Sequence, residues 1–158
     1  MLKAHGIEKL IDVRSVPRSR MNPQFNRDSM PGELAAHGIA YEHEPRLGGL
    51  RRARADSINM AWKNASFRGY ADHMSTAEFQ QALDGLIEAG QREPVAIMCA
   101  EAVPWRCHRN LVADALSARG VPVEHIMSAA RSQPHTMTPF ARVGNGSVIY
   151  PKETLDFH

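Results

Sequence analysis

The chain has 158 residues, 43% of them apolar and 23% charged, which is typical of one soluble globular domain. A chain of this length can bury about 70% of its unfolded surface, and two cysteines are too few for a disulfide scaffold. The composition also excludes collagen-like, coiled-coil and disordered proteins. The net charge of +2 includes 15 arginines but only 4 lysines. Arginine pairs well with phosphate and carboxylate, so the excess indicates anion binding, although a GC-rich genome would produce the same excess.

Short apolar runs alternate with amphipathic stretches along the chain. We predict helical segments over 1–5, 31–37, 75–90 and 107–119. Strands are predicted over 9–13, 39–43, 94–99 and 121–127. The tail from 128 onward is expected to be polar and loop-like, with a short strand over 147–150. Ser75 and Glu78 form a capping box at the start of the third helical stretch. The segments 14–30 and 45–69 follow neither period and are expected to be loops. The alternation predicts an α/β fold with a mainly parallel sheet.

The sequence has no apolar run of about 18 residues, and its first residues lack the basic-then-apolar pattern of a secretion signal. We therefore expect a cytoplasmic protein that makes no membrane contact. Charge is distributed unevenly, because residues 1–70 carry 12 basic and 7 acidic side chains, whereas residues 71–158 carry 7 and 10. The basic excess therefore lies in the N-terminal half.

Ligands of parallel α/β sheets bind beyond the carboxyl ends of the strands, where the first strand is followed by DVRSVPRSR. Asp12 and Arg14 alternate along the strand end and therefore point to the same face. We predict that they join Ser15 and Arg18 in a clamp for phosphate or carboxylate. The alternative is a surface loop whose arginines pair with neighbouring acids.

The second segment at this rim is CAEAVPWRCHR, which leads into the helix over 107–119. Unpaired N–H groups and the helix dipole favour an anion at a helix start and lower the pKa of a thiol there. Arg106 and Arg109 are therefore predicted anion ligands. Cys107 is a candidate nucleophile, and the adjacent His108 is a candidate proton carrier.

Cys99 ends the predicted strand over 94–99, and Glu101 comes two residues later. Glu101 is predicted to act as an acid or base or to orient the substrate, and Cys99 is a second candidate nucleophile. The alternative for Cys99 is a buried structural cysteine. A transition-metal site of Cys99, Cys107 and His108 is a further alternative, but its spacing is not that of a familiar zinc motif, and we assign no metal ligand.

Two loop stretches combine glycine with arginine or aromatic residues, namely Leu47-Gly-Gly and Phe67-Arg-Gly-Tyr70. Such loops can close over a ligand, so Arg68 and Tyr70 are predicted to contact it. Together with Trp62, the aromatic side chains offer stacking surfaces to a base. The alternative is ordinary packing beneath a long loop.

Taken in order, DVRSVPRSR…NPQFN, LGG, FRGYADHM, MCAEAVPWRCHR and the closing H-x-x-TPFARV…YP resemble the family called domain of unknown function 488. The resemblance covers nearly the whole chain. It implies a Rossmann-like three-layer α/β domain over 1–158, with 128–158 as an extended tail packing on it, and a rim site formed by the DVR and CAE…CHR segments. It implies no established activity.

Members of that family usually begin with a strand carrying a Gly-His-Ser-like segment, followed by a helix leading into LKAHGI. This chain opens inside that helix, so we expect the first family strand to be missing. An unfilled sheet edge favours pairing with another chain, and a homo-oligomer is therefore expected.

The sequence thus predicts a binding or catalytic site for an anionic small molecule or nucleotide, bearing phosphate or carboxylate, at the rim of the sheet. Thiol assistance is part of the hypothesis, and no cofactor is assigned. A nucleic-acid-associated module that uses the basic N-terminal half is the main alternative, beside the metal site. Whether the site is catalytic stays open.

Overall fold

The computed structural model describes residues 1–14, 29–49, 51–99 and 107–152. Within these ranges the first three strands, β1 (Lys9–Asp12), β2 (Ala40–His43) and β3 (Val95–Met98), form a parallel sheet in the order β2-β1-β3. The central strand is the most buried of the three. The mixed α/β class is confirmed, while the three-layer Rossmann-like arrangement stays a prediction.

The helices of the described ranges are α1 (Met30–Ala36), α2 (Ala65–His73), α3 (Ala77–Arg92) and α4 (Arg109–Ala118), with short 3-10 helices at Lys3–His5 and Pro45–Leu47. Helix α3 begins one residue later than the capping box indicates, because Thr76 is the N-cap and its hydroxyl accepts the N–H of Phe79 at 3.2 Å. The helix also continues past Gly90 to Arg92, since no left-handed turn forms at the glycine.

Helix α2 corrects the prediction of a loop over 45–69. Asn64 starts it by accepting the N–H of Ser66 at 2.8 Å. The interior Gly69 lowers helix propensity and conceals the helix in the sequence. It is required by packing, since a Cβ atom there would fall against the carbonyl oxygen of Arg51 and 2.8 Å from the nitrogen of Ala53.

Two antiparallel hairpins follow α4. Strand β4 (Glu124–Ser128) pairs with β5 (Arg131–Pro134), and β6 (Arg142–Gly144) pairs with β7 (Ser147–Ile149) across a turn at Asn145 and Gly146, both with positive φ. A strand near 121–127 is therefore confirmed, but it joins a hairpin and not the parallel sheet. The fully exposed, polar β5 carries no apolar alternation that would have revealed it.

The main core joins α3, α4 and the end of β1 to the last hairpin. Tyr150 is fully buried in it, and its carbonyl oxygen accepts the N–H of Ala61 at 3.0 Å. Its own N–H donates to the side-chain oxygen of Asn59 at 2.9 Å. In the described part of the chain, no helix combines the length and apolar character needed to cross a membrane.

Candidate active site at the sheet rim

The carboxyl ends of all three parallel strands meet at one edge. Asp12, the last residue of β1, is in register with His43 of β2 and Met98 of β3. The residues that follow, including Val13 and Cys99, therefore stand at the rim where α/β sheets bind ligands.

Asp12 and Arg14 form a buried ion pair at this rim. Nε of Arg14 donates to Oδ1 of Asp12 at 2.8 Å, and a terminal nitrogen donates to Oδ2 at 2.6 Å. Tyr41 adds its hydroxyl to Oδ2 at 2.5 Å. Burial raises the pKa of Asp12, but the hydrogen bonds from Arg14 and Tyr41 outweigh it and hold that pKa below its usual value. The predicted common face is confirmed, and Asp12 compensates the charge of Arg14.

The sulfur atoms of Cys99 and Cys107 lie in contact with each other. Cys99 follows β3 by one residue, and Cys107 precedes α4 by two, so the pair links the sheet to the helix start. Both side chains are buried. The N–H of Arg109 donates to Sγ of Cys107 at 3.4 Å, which is the interaction that stabilises a thiolate when the pair is reduced.

His108 lies against Cys107, with Nδ1 at 3.6 Å from Sγ. Its Nε2 is 3.0 Å from the carbonyl oxygen of Val13, which can only accept, so Nε2 carries the proton and Nδ1 of the neutral ring presents a lone pair to the sulfur. Burial lowers the pKa of His108, and the positive charges of Arg109 and Arg51 lower it further. A reduced Cys107 therefore has a proton acceptor beside it.

Two neighbours hold the His108 ring in place. The ring of Tyr70 packs against it at a centroid distance of 4.8 Å. A Cβ atom on Gly49 would lie 3.0 Å from Nδ1 of His108, so the glycine admits the imidazole. The Leu47-Gly-Gly segment thus serves the site through close packing.

The comparisons with known proteins give one result. The model of the family described as "Domain of unknown function DUF488" matches residues 1–116. The chain belongs to the DUF488 family. No curated protein and no solved structure matches it. The matched range contains every rim residue described above.

Two predicted site residues of this DUF488 protein form hydrogen bonds to backbone carbonyl groups of its loops. Arg68 donates to the carbonyl oxygen of Trp62 at 2.9 Å, and the fully buried Tyr70 donates its hydroxyl to the carbonyl oxygen of Leu47 at 2.7 Å. Trp62 packs against Phe67 at 5.0 Å, in keeping with the alternative of packing beneath the loop.

Four further predicted site residues are not among those that the structure describes. Ser15, Arg18, Glu101 and Arg106 lie outside the described residues. Among the residues described, no group of three or more His, Cys, Asp or Glu side chains could hold a metal ion.

Two rim residues were missed by the sequence reasoning. Besides Tyr41, His43 approaches the site and donates from Nε2 to the carbonyl oxygen of Arg14 at 2.6 Å. Both stand on β2, two residues apart and therefore on one face. That alternation beside a charged strand end is the signal that could have found them.

Proposed function

We propose that this DUF488 protein binds a small anionic molecule at the sheet rim and acts on it by thiol–disulfide exchange through Cys107 and Cys99. The observation that carries the proposal is the surrounding of the Cys107 sulfur. It touches the Cys99 sulfur and has the N–H of Arg109 at 3.4 Å and the His108 lone pair at 3.6 Å. A nucleophilic thiol needs such a donor and such a base.

The reaction balances with a disulfide substrate. In the reduced protein, His108 takes the thiol proton of Cys107, and the thiolate attacks one sulfur of the substrate, forming a mixed disulfide and releasing the other substrate half as a thiolate. The Cys99 thiol then loses its proton to solvent and attacks the Cys107 sulfur, forming the protein disulfide and releasing the second substrate half as a thiolate, which takes the proton held by His108. Two protein thiols are oxidised and one substrate disulfide is reduced, so an external dithiol must restore the protein.

Positive charge supports an anionic substrate. Arg109 and Arg51 both act electrostatically on His108, and Arg109 begins α4, where the helix dipole adds to its effect. Arg14 contributes less than its sequence position predicts, because Asp12 already neutralises it. Arg18, Arg106 and Glu101 stay predicted ligands on the same rim segments.

The test uses reduced full-length protein and dithiobis-nitrobenzoate, an aromatic disulfide with two carboxylates. Wild type is expected to release two thiolates and keep no adduct. The Cys99→Ser variant is expected to release one and retain a mixed disulfide on Cys107, measured by absorbance and intact mass. The matched Cys107→Ser variant is expected to react more slowly, because it removes the thiol whose contact with the His108 ring is described.

A neutral disulfide, dithiodipyridine, separates anion binding from thiol reactivity. Relative to a free cysteine peptide, the protein is expected to favour the anionic reagent, and added salt is expected to reduce that preference. Two retained adducts on wild type would refute the exchange mechanism. Equal relative rates with both reagents would refute the anion site.

A further inference from the structure

Two histidines face each other at the end of the β4–β5 hairpin. His125 stands on β4, whereas His135 follows β5 directly. Nε2 of His125 lies 2.8 Å from Nδ1 of His135, and the two rings cross at 69°. This separation is that of a hydrogen bond, so one proton lies between the two nitrogens, whichever ring carries it. Once that proton is displaced, both nitrogens direct a lone pair into the same space.

The far side of His135 is held by a fully buried carboxylate. The His135 side chain is 2% exposed, and its Nε2 lies 2.8 Å from Oδ1 of Asp114. A carboxylate accepts, so Nε2 of His135 carries a proton in the neutral and in the charged ring alike. Histidines that bind metal ions commonly donate their second ring N–H to a carboxylate in this way. Asp114 therefore fixes Nδ1 as the nitrogen of His135 that a metal ion can reach, independently of the charge of the ring.

A thioether shares the pocket of the two imidazoles. His125, His135 and Met127 line a cavity of about 170 Å³, which we call the hairpin pocket. Met127 stands two residues after His125 on β4, and 39% of it is exposed. Its side chain is unbranched and flexible, so the soft sulfur can turn towards an ion held by the imidazoles. The other lining side chains have no formal charge, namely Asn110, Gln133, Pro134 and Thr136.

We propose that Nε2 of His125, Nδ1 of His135 and the thioether of Met127 bind one copper(I) ion in the hairpin pocket. Imidazole suits copper, and a thioether favours its monovalent state. In the part of the chain that the structure describes, no third His, Cys, Asp or Glu side chain completes a metal site with these histidines. Structural zinc almost always takes four ligands, whereas copper(I) is stable with two or three. The inference does not depend on the cysteines, and its three ligands lie beyond the residues matched by the family model.

The charges around His125 favour a monovalent ion. The carboxylate of Asp114 and the guanidinium of Arg109 both act electrostatically on this ring. The ion displaces the proton between the nitrogens, either out of the pair or onto Nδ1 of His125, so copper(I) adds at most one positive charge. The Asp114 carboxylate can balance that charge. A divalent ion would add a second positive charge near Arg109, which is unfavourable at a partly buried site.

The two rings must move slightly apart to admit the ion. Bonds of about 2.0 Å place two imidazole nitrogens of a three-coordinate ion about 3.5 Å apart, which is about 0.7 Å more than their present distance. His135 is held by Asp114, so His125 is the ring expected to withdraw. It stands on a two-stranded sheet whose other strand, β5, is exposed at every residue, so little packing opposes the movement.

The test is an anaerobic titration of copper(I), as its acetonitrile complex, into the full chain carrying Cys99→Ser and Cys107→Ser, in competition with the chelator ferrozine. The two serines keep the soft ion from the thiols. One bound ion per chain is expected. Adding His125→Phe is expected to abolish binding, whereas the matched His37→Phe change in an exposed histidine leaves it unchanged. Adding Met127→Leu is expected to weaken binding about tenfold, because the soft ligand is lost.

A second measurement does not need the variants to fold. Nuclear magnetic resonance of the wild-type chain with nitrogen-15-labelled histidine, with copper(I) added beyond what the two thiols take up, is expected to shift the Nε2 signal of His125 and the Nδ1 signal of His135. The signals of His37 are expected to stay in place. No bound ion, equal binding in His125→Phe or Met127→Leu, or unshifted signals of His125 and His135 would overturn the proposal.

Discussion

Asp12 and Asp114 are both fully buried carboxylates, but they are stabilised in different ways. Asp12 is matched by the guanidinium of Arg14, two residues along the chain, with Tyr41 as an additional donor. The described donors to Asp114 are an imidazole, a backbone N–H and two hydroxyls from the tail, and its nearest partner in sequence is 21 residues away. One site balances charge locally, whereas the other spreads it over hydrogen bonds that exist only after the tail has docked.

The largest effect is expected from Asp12→Asn, which removes the described counter-charge of the buried Arg14. Breaking one partner of a buried ion pair costs about 3–5 kcal/mol. Urea unfolding followed by circular dichroism would measure it. The double variant Asp12→Asn, Arg14→Met removes the buried guanidinium as well and is expected to recover much of the loss. A double variant as unstable as Asp12→Asn would contradict the charge account.

A smaller loss, about 1–3 kcal/mol, is expected for Asp114→Asn, because the change leaves no buried guanidinium without its described counter-charge and one amide oxygen still accepts. The exposed Asp84, which pairs with Arg119 at the surface, supplies the matched control in Asp84→Asn, with a loss below about 1 kcal/mol. If Asp114→Asn cost more than Asp12→Asn in the same urea series, the comparison between the two carboxylates would be wrong.

Removing a single hydroxyl at each carboxylate is expected to cost about 0.5–1.5 kcal/mol, the net value of one hydrogen bond. Tyr41→Phe removes a donor from Asp12 and is also expected to raise the Asp12 pKa, since Tyr41 helps to lower it. Tyr150→Phe removes a donor from Asp114. Thermal unfolding would compare the two, and an unchanged Asp12 titration in Tyr41→Phe would contradict the pKa argument.

The smallest effect concerns pH. The pKa of His108 is lowered in the folded protein by burial and by Arg109 and Arg51, so the unfolded chain binds the extra proton first. The contribution of His108 to the free energy of unfolding is therefore fully present above about pH 6.5, the ordinary histidine pKa. It is lost as the pH falls from that value to the lower pKa that His108 has in the folded protein. His108→Gln is expected to flatten this slope in urea midpoints measured across pH. If the slope of the urea midpoint against pH stays unchanged in His108→Gln, groups other than His108 are responsible for the pH dependence.

The two carboxylates also show what sequence can predict. The Asp12–Arg14 contact follows from strand alternation because its partners are two residues apart. Asp114 sits among Leu111, Val112 and Ala115, where the helical pattern indicates only a core face. Its donors come from the tail after residue 128, which the sequence predicts to be a polar loop. No sequence pattern near Asp114 therefore predicts these hydrogen bonds.

The candidate site divides in the same way. Its place at the ends of β1 and β3 was predicted from the alternation of strands and helices. The pairing of Cys99 with Cys107 and the turn of His108 towards Val13 were not, because they depend on how α4 meets the sheet. Helix α2 was not predicted because Gly69 lowers the local helix propensity, while the glycine is required by packing against Arg51 and Ala53.

The contacts of Tyr150 bear on how the chain is made. Its backbone bonds to Asn59 and Ala61, and its hydroxyl bonds to Asp114, so two distant segments meet at this one residue. During synthesis the parallel strands and α4 emerge first, but the segment around Asn59 and the Asp114 carboxylate stay without these partners until translation has passed residue 150. An N-terminal portion released early would expose that unfinished surface to chaperones and proteases.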